Sequence, residues 1–210
     1  SSLIDKAKKQ PEKVKEVFNK IYTDGLFATI DAVNSKLEEP IKMGYSNVGV
    51  VDKCSSGVDE FKIGDRVVSN GSHSDHVVVN KNLCSHIPAN VSDEDASFTV
   101  VGSIALQGVR LLKPSIGEYI VVIGVGLIGL LSVQILKANG CKVLAVDYDN
   151  KKLEMAKNFG ANVLNMSSEI AFDQYVKANT NGNGADGVLI CASTDSNDPI
   201  NQAAIISRKR

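Results

Sequence analysis

The chain lacks most of the features that mark a specialised environment. Its 23 Lys and Arg against 24 Asp and Glu leave a net charge of −1. A balance so close to zero excludes a large electrostatic footprint for nucleic acid or an anionic membrane. No window approaches the ~18 consecutive apolar residues of a membrane span; the most apolar stretch, residues 119–133, is broken by Gly124, Gly126 and Gly129. The opening residues, Ser1-Ser2-Leu3-Ile4-Asp5-Lys6, lack the apolar core of a signal peptide. Cys54, Cys84, Cys141 and Cys191 are far apart and form no C-x-x-C pair. That spacing argues against a disulfide framework or a cysteine-rich zinc site, and for reduced thiols in a cytoplasmic protein. With 17 glycines and 5 prolines in 210 residues the chain is neither collagenous nor of low complexity. What is present, 43% apolar and 22% charged residues, is an ordinary globular composition.

Three stretches follow from pattern. Residues 1–40 are charge-rich, with apolar residues at helical spacing (Val14, Val17, Phe18, Ile21, then Leu26, Ile30, Val33, Leu37). Pro11 suits a first helical position and Asp24-Gly25 a stop, so two or three short amphipathic helices are expected as a cap or insertion. Residues 41–98 carry short strand signals between turns: Val48 to Val51, Arg66 to Val68, His76 to Asn80, and a strand ending at Ile87-Pro88. They predict a small all-β module. Residues 99–210 change again. Only Arg110, Lys113, Glu118, Lys137 and Lys142 are charged between 98 and 146, which predicts burial on most faces. Tyr119-Ile-Val-Val-Ile123 is the continuous apolar run of a strand covered on both sides. Further strands at 142–147, 162–165 and 187–192 alternate with helices at 128–138, 151–159, 172–178 and 199–207. The expected fold class is α/β, a doubly wound parallel sheet.

The strongest motif is Gly124-Val125-Gly126-Leu127-Ile128-Gly129, between the buried strand and an apolar helix. A second strand ends at Asp147, 18 residues after Gly129. In this context each position has a physical role. Gly124 permits the tight turn, Gly126 lets a pyrophosphate approach the backbone, and Gly129 lets helix and strand pack closely. The helix N-terminus then offers N–H groups and the positive dipole end to the phosphates. Asp147 is placed to accept hydrogen bonds from ribose hydroxyls, and a 2′-phosphate would meet its charge, so NAD is favoured over NADP.

Four segments taken in order resemble the medium-chain dehydrogenase/reductase family, which contains alcohol dehydrogenases and quinone reductases. They are Met43-Gly-Tyr-Ser-Asn-Val-Gly-Val-Val51, Gly57 to Val67, His76 to Pro88, and Gly117 to Ala192. The resemblance covers about residues 41–210. It implies a partial GroES-like β module at 41–98 and an incomplete Rossmann domain at 99–210. It also implies that Lys152 lies near the adenosine ribose, that Ser103 lies beside the nicotinamide, and that Ala192 and Ser193 form the loop against the cofactor. Zinc members carry Gly-His-Glu where this chain has Gly44-Tyr45-Ser46. The four-cysteine loop for structural zinc is absent too, so no zinc is expected. His73 and His76 are three apart in a turn-to-strand segment and are expected on opposite faces. Tyr45 or His73 remains open as a proton donor. Residues 2–49 further resemble zinc-lacking two-domain bacterial oxidoreductases associated with polysaccharide biosynthesis. In those proteins a half of this type precedes one similar to glucose–fructose oxidoreductase-type dehydrogenases.

The expected function is an NAD-dependent oxidoreductase without catalytic zinc, moving hydride to or from an alcohol or carbonyl of a small-molecule substrate. A non-catalytic dinucleotide-binding scaffold or sensor, and a quinone- or enone-reducing enzyme, are the alternatives. Association with further copies of itself is left open. The chain begins without Met and shows four strands where a complete Rossmann sheet has six. It is therefore expected to be an interior segment of a longer protein with a missing C-terminal domain, one that holds the adenosine half of NAD but lacks part of the nicotinamide site.

Overall fold

The computed structural model describes residues 11–26, 28–30, 33 and 43–209. Packing divides the chain into two units, Ser1–Met43 and Gly44–Arg210. In the first, helix α1 spans Pro11–Asp24. Gly25 follows with φ +86°, a left-handed value that ends a helix at no steric cost to glycine. Helical backbone resumes at Leu26. The expected apolar position Leu37 lies outside the described residues.

The second unit holds two sheets. Strands β1 (Asn47–Val50), β2 (Arg66–Ser69) and β3 (Cys84–His86) form an antiparallel sheet in that order. Val48 pairs with Val68, and Val67 with His86. Its core is shallow: Val68, Ile87 and Ala96 are buried, with Val48, Val91 and Val100 packed against them. Arg66 donates to Asp93 Oδ1 and Val91 O, tying β2 to the short helix α2 (Asp93–Ala96). The strand expected at His76 to Asn80 does not form. The segment joins neither outer edge of the sheet, on β1 or on β3. Residues 74–79 instead line, with β1 and with Val67, Ser69 and Cys84 of β2 and β3, a cavity of about 580 Å³, and Val78 is fully exposed.

Helix α3 (Thr99–Leu112) leads into a parallel sheet of β4 (Tyr119–Ile123), β5 (Lys142–Asp147), β6 (Asn162–Asn165) and β7 (Gly187–Ile190), in the order β6-β5-β4-β7. Helices α4 (Leu127–Ala138), α5 (Asn150–Asn158), α6 (Phe172–Asn179) and α7 (Asp198–Ile206) connect and follow the strands. Side chains alternate across β4, which explains its unbroken apolar run. Ile120 and Val122 point to one face, with Val109, Val133, Leu136 and Leu153. Tyr119, Val121 and Ile123 point to the other, with Leu144, Val176 and Ile206. Helices cover both faces, so every β4 residue is buried. The burial expected across 98–146 does not extend to all of α3: Ile104 and Leu111 are exposed.

Past α7 the chain returns to the sheet. Ser207 bridges Ala185 in parallel fashion, through Ala185 N–H to Ile206 O (2.7 Å) and Arg208 N–H to Ala185 O (2.9 Å). The Arg208 guanidinium pairs with Asp186 at 2.5 Å. The strand order reverses between β4 and β7, and a crevice at such a switch point, outside the carboxyl ends of the strands, is where open α/β sheets bind ligands.

Candidate functional site

The turn from β4 to α4 sits at that crevice. Gly124 has φ +88°, and a Cβ there would lie 2.6 Å from the Ala192 nitrogen. The turn is thus wedged against the chain leaving β7, and only glycine fits. A Cβ on Gly129 would lie 2.1 Å from the Gly124 oxygen, so the first turn of α4 packs directly on the loop. Gly126 differs: a Cβ there would meet nothing within 4 Å. Open space at this glycine is what a ligand group approaching the backbone requires. Gly126 is also the N-cap of α4, and no side chain caps that end. Val125 is fully buried beneath the turn, while Leu127 is exposed at its rim.

Asp147, the last residue of β5, is the charged partner of this turn. Its Oδ2 accepts the Val125 N–H at 2.9 Å, and its Oδ1 accepts the N–H groups of Tyr148 (2.8 Å) and Asp149 (3.0 Å). Partial burial pulls its pKa up. The three backbone N–H bonds and the charge of Lys152 outweigh that and hold it below the usual carboxylate range. The side chain is thus a fixed anion with acceptor capacity left for a ligand. Lys152 lies on α5, with Nζ 4.0 Å from Asp149.

Two residues near Asp147 escape the motif reading. Asn165, its cross-strand partner on β6, donates to Tyr148 O (3.2 Å) and Asn150 Oδ1 (2.6 Å), fixing the β5–α5 loop. Tyr148 is exposed there. Their signal was positional: both stand at or just past the carboxyl end of a strand, at the same end of the sheet as the glycine turn.

The remaining expected residues fall in three places. Ala192 and Ser193 follow β7, with the Ala192 backbone against Gly124. Ser103 is exposed on α3 and bonds back to Thr99 O at 2.8 Å. Tyr45 and His73 belong to the β module. His73 is exposed, with its ring tip against Gly44: a Cβ on that glycine would lie 2.3 Å from Nε2. His76 pairs with Asp52 at 3.3 Å and His86 with Asp65 at 3.0 Å, so the histidines are dispersed. The segment of His73 and His76 is a bend rather than the turn-to-strand expected.

An open glycine turn at an uncapped helix N-terminus, with an anchored carboxylate at the end of the next strand, fits a dinucleotide: pyrophosphate over Gly126, adenosine ribose at Asp147. Bound there, such a cofactor would supply hydride chemistry. The class is an α/β protein with a Rossmann-type parallel sheet and a glycine turn whose geometry would accept a dinucleotide.

Comparison with known proteins narrows the class. Residues 18–124 match the alcohol dehydrogenase GroES-like domain, and residues 128–209 match the zinc-binding dehydrogenase description. The chain belongs to the medium-chain alcohol dehydrogenase-like family, whose members are oxidoreductases. An alcohol dehydrogenase of Schizosaccharomyces pombe is 30% identical, over 88% of this chain and 63% of that protein. The crystal structure of 2R,3R-butanediol dehydrogenase from Bacillus subtilis is 25% identical with a TM-score of 0.72, covering 81% of this chain and 56% of that one. Escherichia coli quinone oxidoreductase complexed with NADPH is 26% identical with a TM-score of 0.67, covering 84% of this chain and 56% of that one. The chain spans 54% and 63% of the lengths of two curated relatives.

Proposed function

We propose that the chain is the dinucleotide-binding part of an NAD-linked oxidoreductase that interconverts an alcohol and its carbonyl. The observation that carries this reading is Asp147, a carboxylate locked by three backbone N–H groups beside the glycine turn. A ribose with free hydroxyls can donate to it, whereas a 2′-phosphate would be repelled. We further propose that the reaction proceeds without zinc at Gly44-Tyr45-Ser46. A phenol and a hydroxyl stand where zinc members of the family carry imidazole and carboxylate, and neither is a usual zinc ligand. Ser46 is moreover engaged, donating to Ser97 O at 2.6 Å.

Calorimetric titration with NAD and NADP tests the cofactor. Tighter binding of NAD is expected; preference for NADP would move the reading toward the quinone-reducing branch. Metal analysis of the purified protein, with turnover on a panel of alcohols and polyols before and after chelation, tests the rest. Dinucleotide binding without turnover in the intact protein would favour the scaffold reading, which the departure at Tyr45 and Ser46 otherwise supports.

A further inference from the structure

Adding hydride to a carbonyl carbon leaves the oxygen in need of a proton, and the glycine turn and Asp147 offer no group to supply it. The direction of α3 shows where such a group can stand. Leu112 Cδ1 lies 2.7 Å from where a Cβ on Gly187 would be, and Leu189 Cδ1 lies 3.1 Å from a Cβ built on Gly108. Moving forward along β7 therefore means moving backward along α3, and the two run antiparallel. Ser103 then falls about 7 Å beyond Gly108 along the helix, level with the Cys191–Ala192 exit of β7. Thr99 stands one turn further out. The N-terminus of α3 thus overhangs the same end of the sheet as the glycine turn.

The β module is fastened at that point. Ser46 donates to Ser97 O at 2.6 Å, just ahead of α3, and Asn47 Nδ2 donates to Ser72 O at 3.3 Å. The first bond fixes the residue after Tyr45 and the second the residue before His73. Between them the His73 ring tip rests on Gly44, the residue before Tyr45, where φ is +75° and a Cβ would lie 2.3 Å from Nε2. Both Tyr45 and His73 keep their side chains exposed, as a group that must reach a substrate does.

We propose that Tyr45 is the catalytic acid–base of this crevice and that His73 positions it by packing on Gly44. The proposal rests on the oxidoreductase reading. In the reducing direction a bound reduced nicotinamide would supply hydride to the carbonyl carbon, whose C–O π pair would pass to oxygen. The Tyr45 O–H bond breaks to protonate that oxygen, and solvent reprotonates the phenolate. Oxidation runs the same transfers in reverse, Tyr45 returning the alcohol proton to solvent. Gly44 has φ +75°, which favours glycine, and a Cβ there would displace the imidazole from its seat.

The test compares Tyr45→Phe, His73→Asn and Gly44→Ala in the intact protein, with Tyr22→Phe on exposed α1 as a control. NAD affinity is measured by calorimetry, turnover on 2R,3R-butanediol and a panel of primary alcohols and polyols, and the His73 ring resonances by NMR. Tyr45→Phe is expected to lower kcat by about a hundredfold or more with NAD affinity unchanged. His73→Asn and Gly44→Ala are expected to lower kcat to a common, smaller extent, with KM for NAD unmoved. The His73 resonances are expected to shift in Tyr45→Phe and to stay in Tyr22→Phe. Wild-type turnover by Tyr45→Phe, in a protein that binds NAD, overturns this proposal alone. His73 resonances indifferent to Tyr45→Phe overturn it whether or not a substrate is found. Absence of NAD binding in the wild type overturns the oxidoreductase reading, and this proposal with it.

Discussion

All five residues of β4 are buried, while β1 has none buried. The two sheets of one unit are thus built to different depths. The parallel sheet is sandwiched between helices, with seven strand residues (Ile120, Val121, Val122, Val143, Leu144, Ala145, Val146) at 2% exposure or less. In the antiparallel module only Val67, Val68 and Ser69 of the strand residues are buried, and a cavity of about 580 Å³ lined from all three strands lies against it. The half that needs an invariant ligand geometry, a turn glycine and a carboxylate, is fixed by backbone contacts. The half that would meet the variable part of a reaction is held by a few side-chain bonds. A rigid scaffold carrying adaptable loops divides its work in this way.

The largest expected effect tests that difference in depth. Leu144→Ala should cost about 2–5 kcal/mol, because the side chain is fully buried between helices. Val48→Ala, half-buried in β1, should cost about 1 kcal/mol or less. Urea denaturation of both variants is the measurement, and equal costs would mean that the β module is as tightly packed as the parallel sheet.

The glycine turn separates stability from binding. Gly129→Ala drives a Cβ to 2.1 Å from the Gly124 oxygen, and its thermal midpoint should fall. Gly126→Ala meets nothing within 4 Å and should melt like the wild type. Its added methyl group occupies the ligand's approach and should weaken NAD binding about tenfold to a hundredfold. Normal affinity in Gly126→Ala would remove the pyrophosphate from this glycine.

Asp147 gives a pH signature. Its folded pKa lies below the usual value, so its contribution to stability is present in full above the unfolded pKa of about 3.9 and is lost as pH falls through the folded value. Asp147→Asn should therefore be less stable than the wild type at neutral pH, with the gap closing on acidification below about pH 4. It should also bind NAD less tightly. A gap that stays constant down to low pH would mean that the three N–H bonds do not favour the charged form.

The same contrast in depth decides what could be read from sequence. The parallel sheet was legible because its causes are local. Tyr119 to Ile123 is apolar without interruption since both faces are covered, and the glycine spacing and Asp147 are dictated by one turn. The β module was less so. His76 to Asn80 has the composition of a strand, but composition does not say whether it pairs, and it joins neither outer edge of the β1-β2-β3 sheet. Helix α3 was not delimited, because Gly102 and Gly108 interrupt its pattern and its apolar residues face outward as well as inward. The placement of Tyr45 beside the mouth of α3 depends on the Ser46–Ser97 bond across 51 residues, which no local pattern encodes.

The smallest expected effect lies at Lys113, where α3 hands the chain on toward the parallel sheet. Lys113 closes α3 with φ 51° and ψ 52°, a left-handed conformation that costs an L-residue about 1–2 kcal/mol. Lys113→Gly removes that strain. It also frees the unfolded chain, which offsets about 0.4–1 kcal/mol of the gain. The net result should be a stabilisation of about 1 kcal/mol or less, seen as a small rise in the thermal midpoint, with NAD affinity unchanged. A fall would show that the lysine side chain packs on the end of α3 and helps seat it against β7. In that case the helix that overhangs the crevice would be held from its far end as well, and its seating would resemble that of the parallel sheet more than that of the module it leads from.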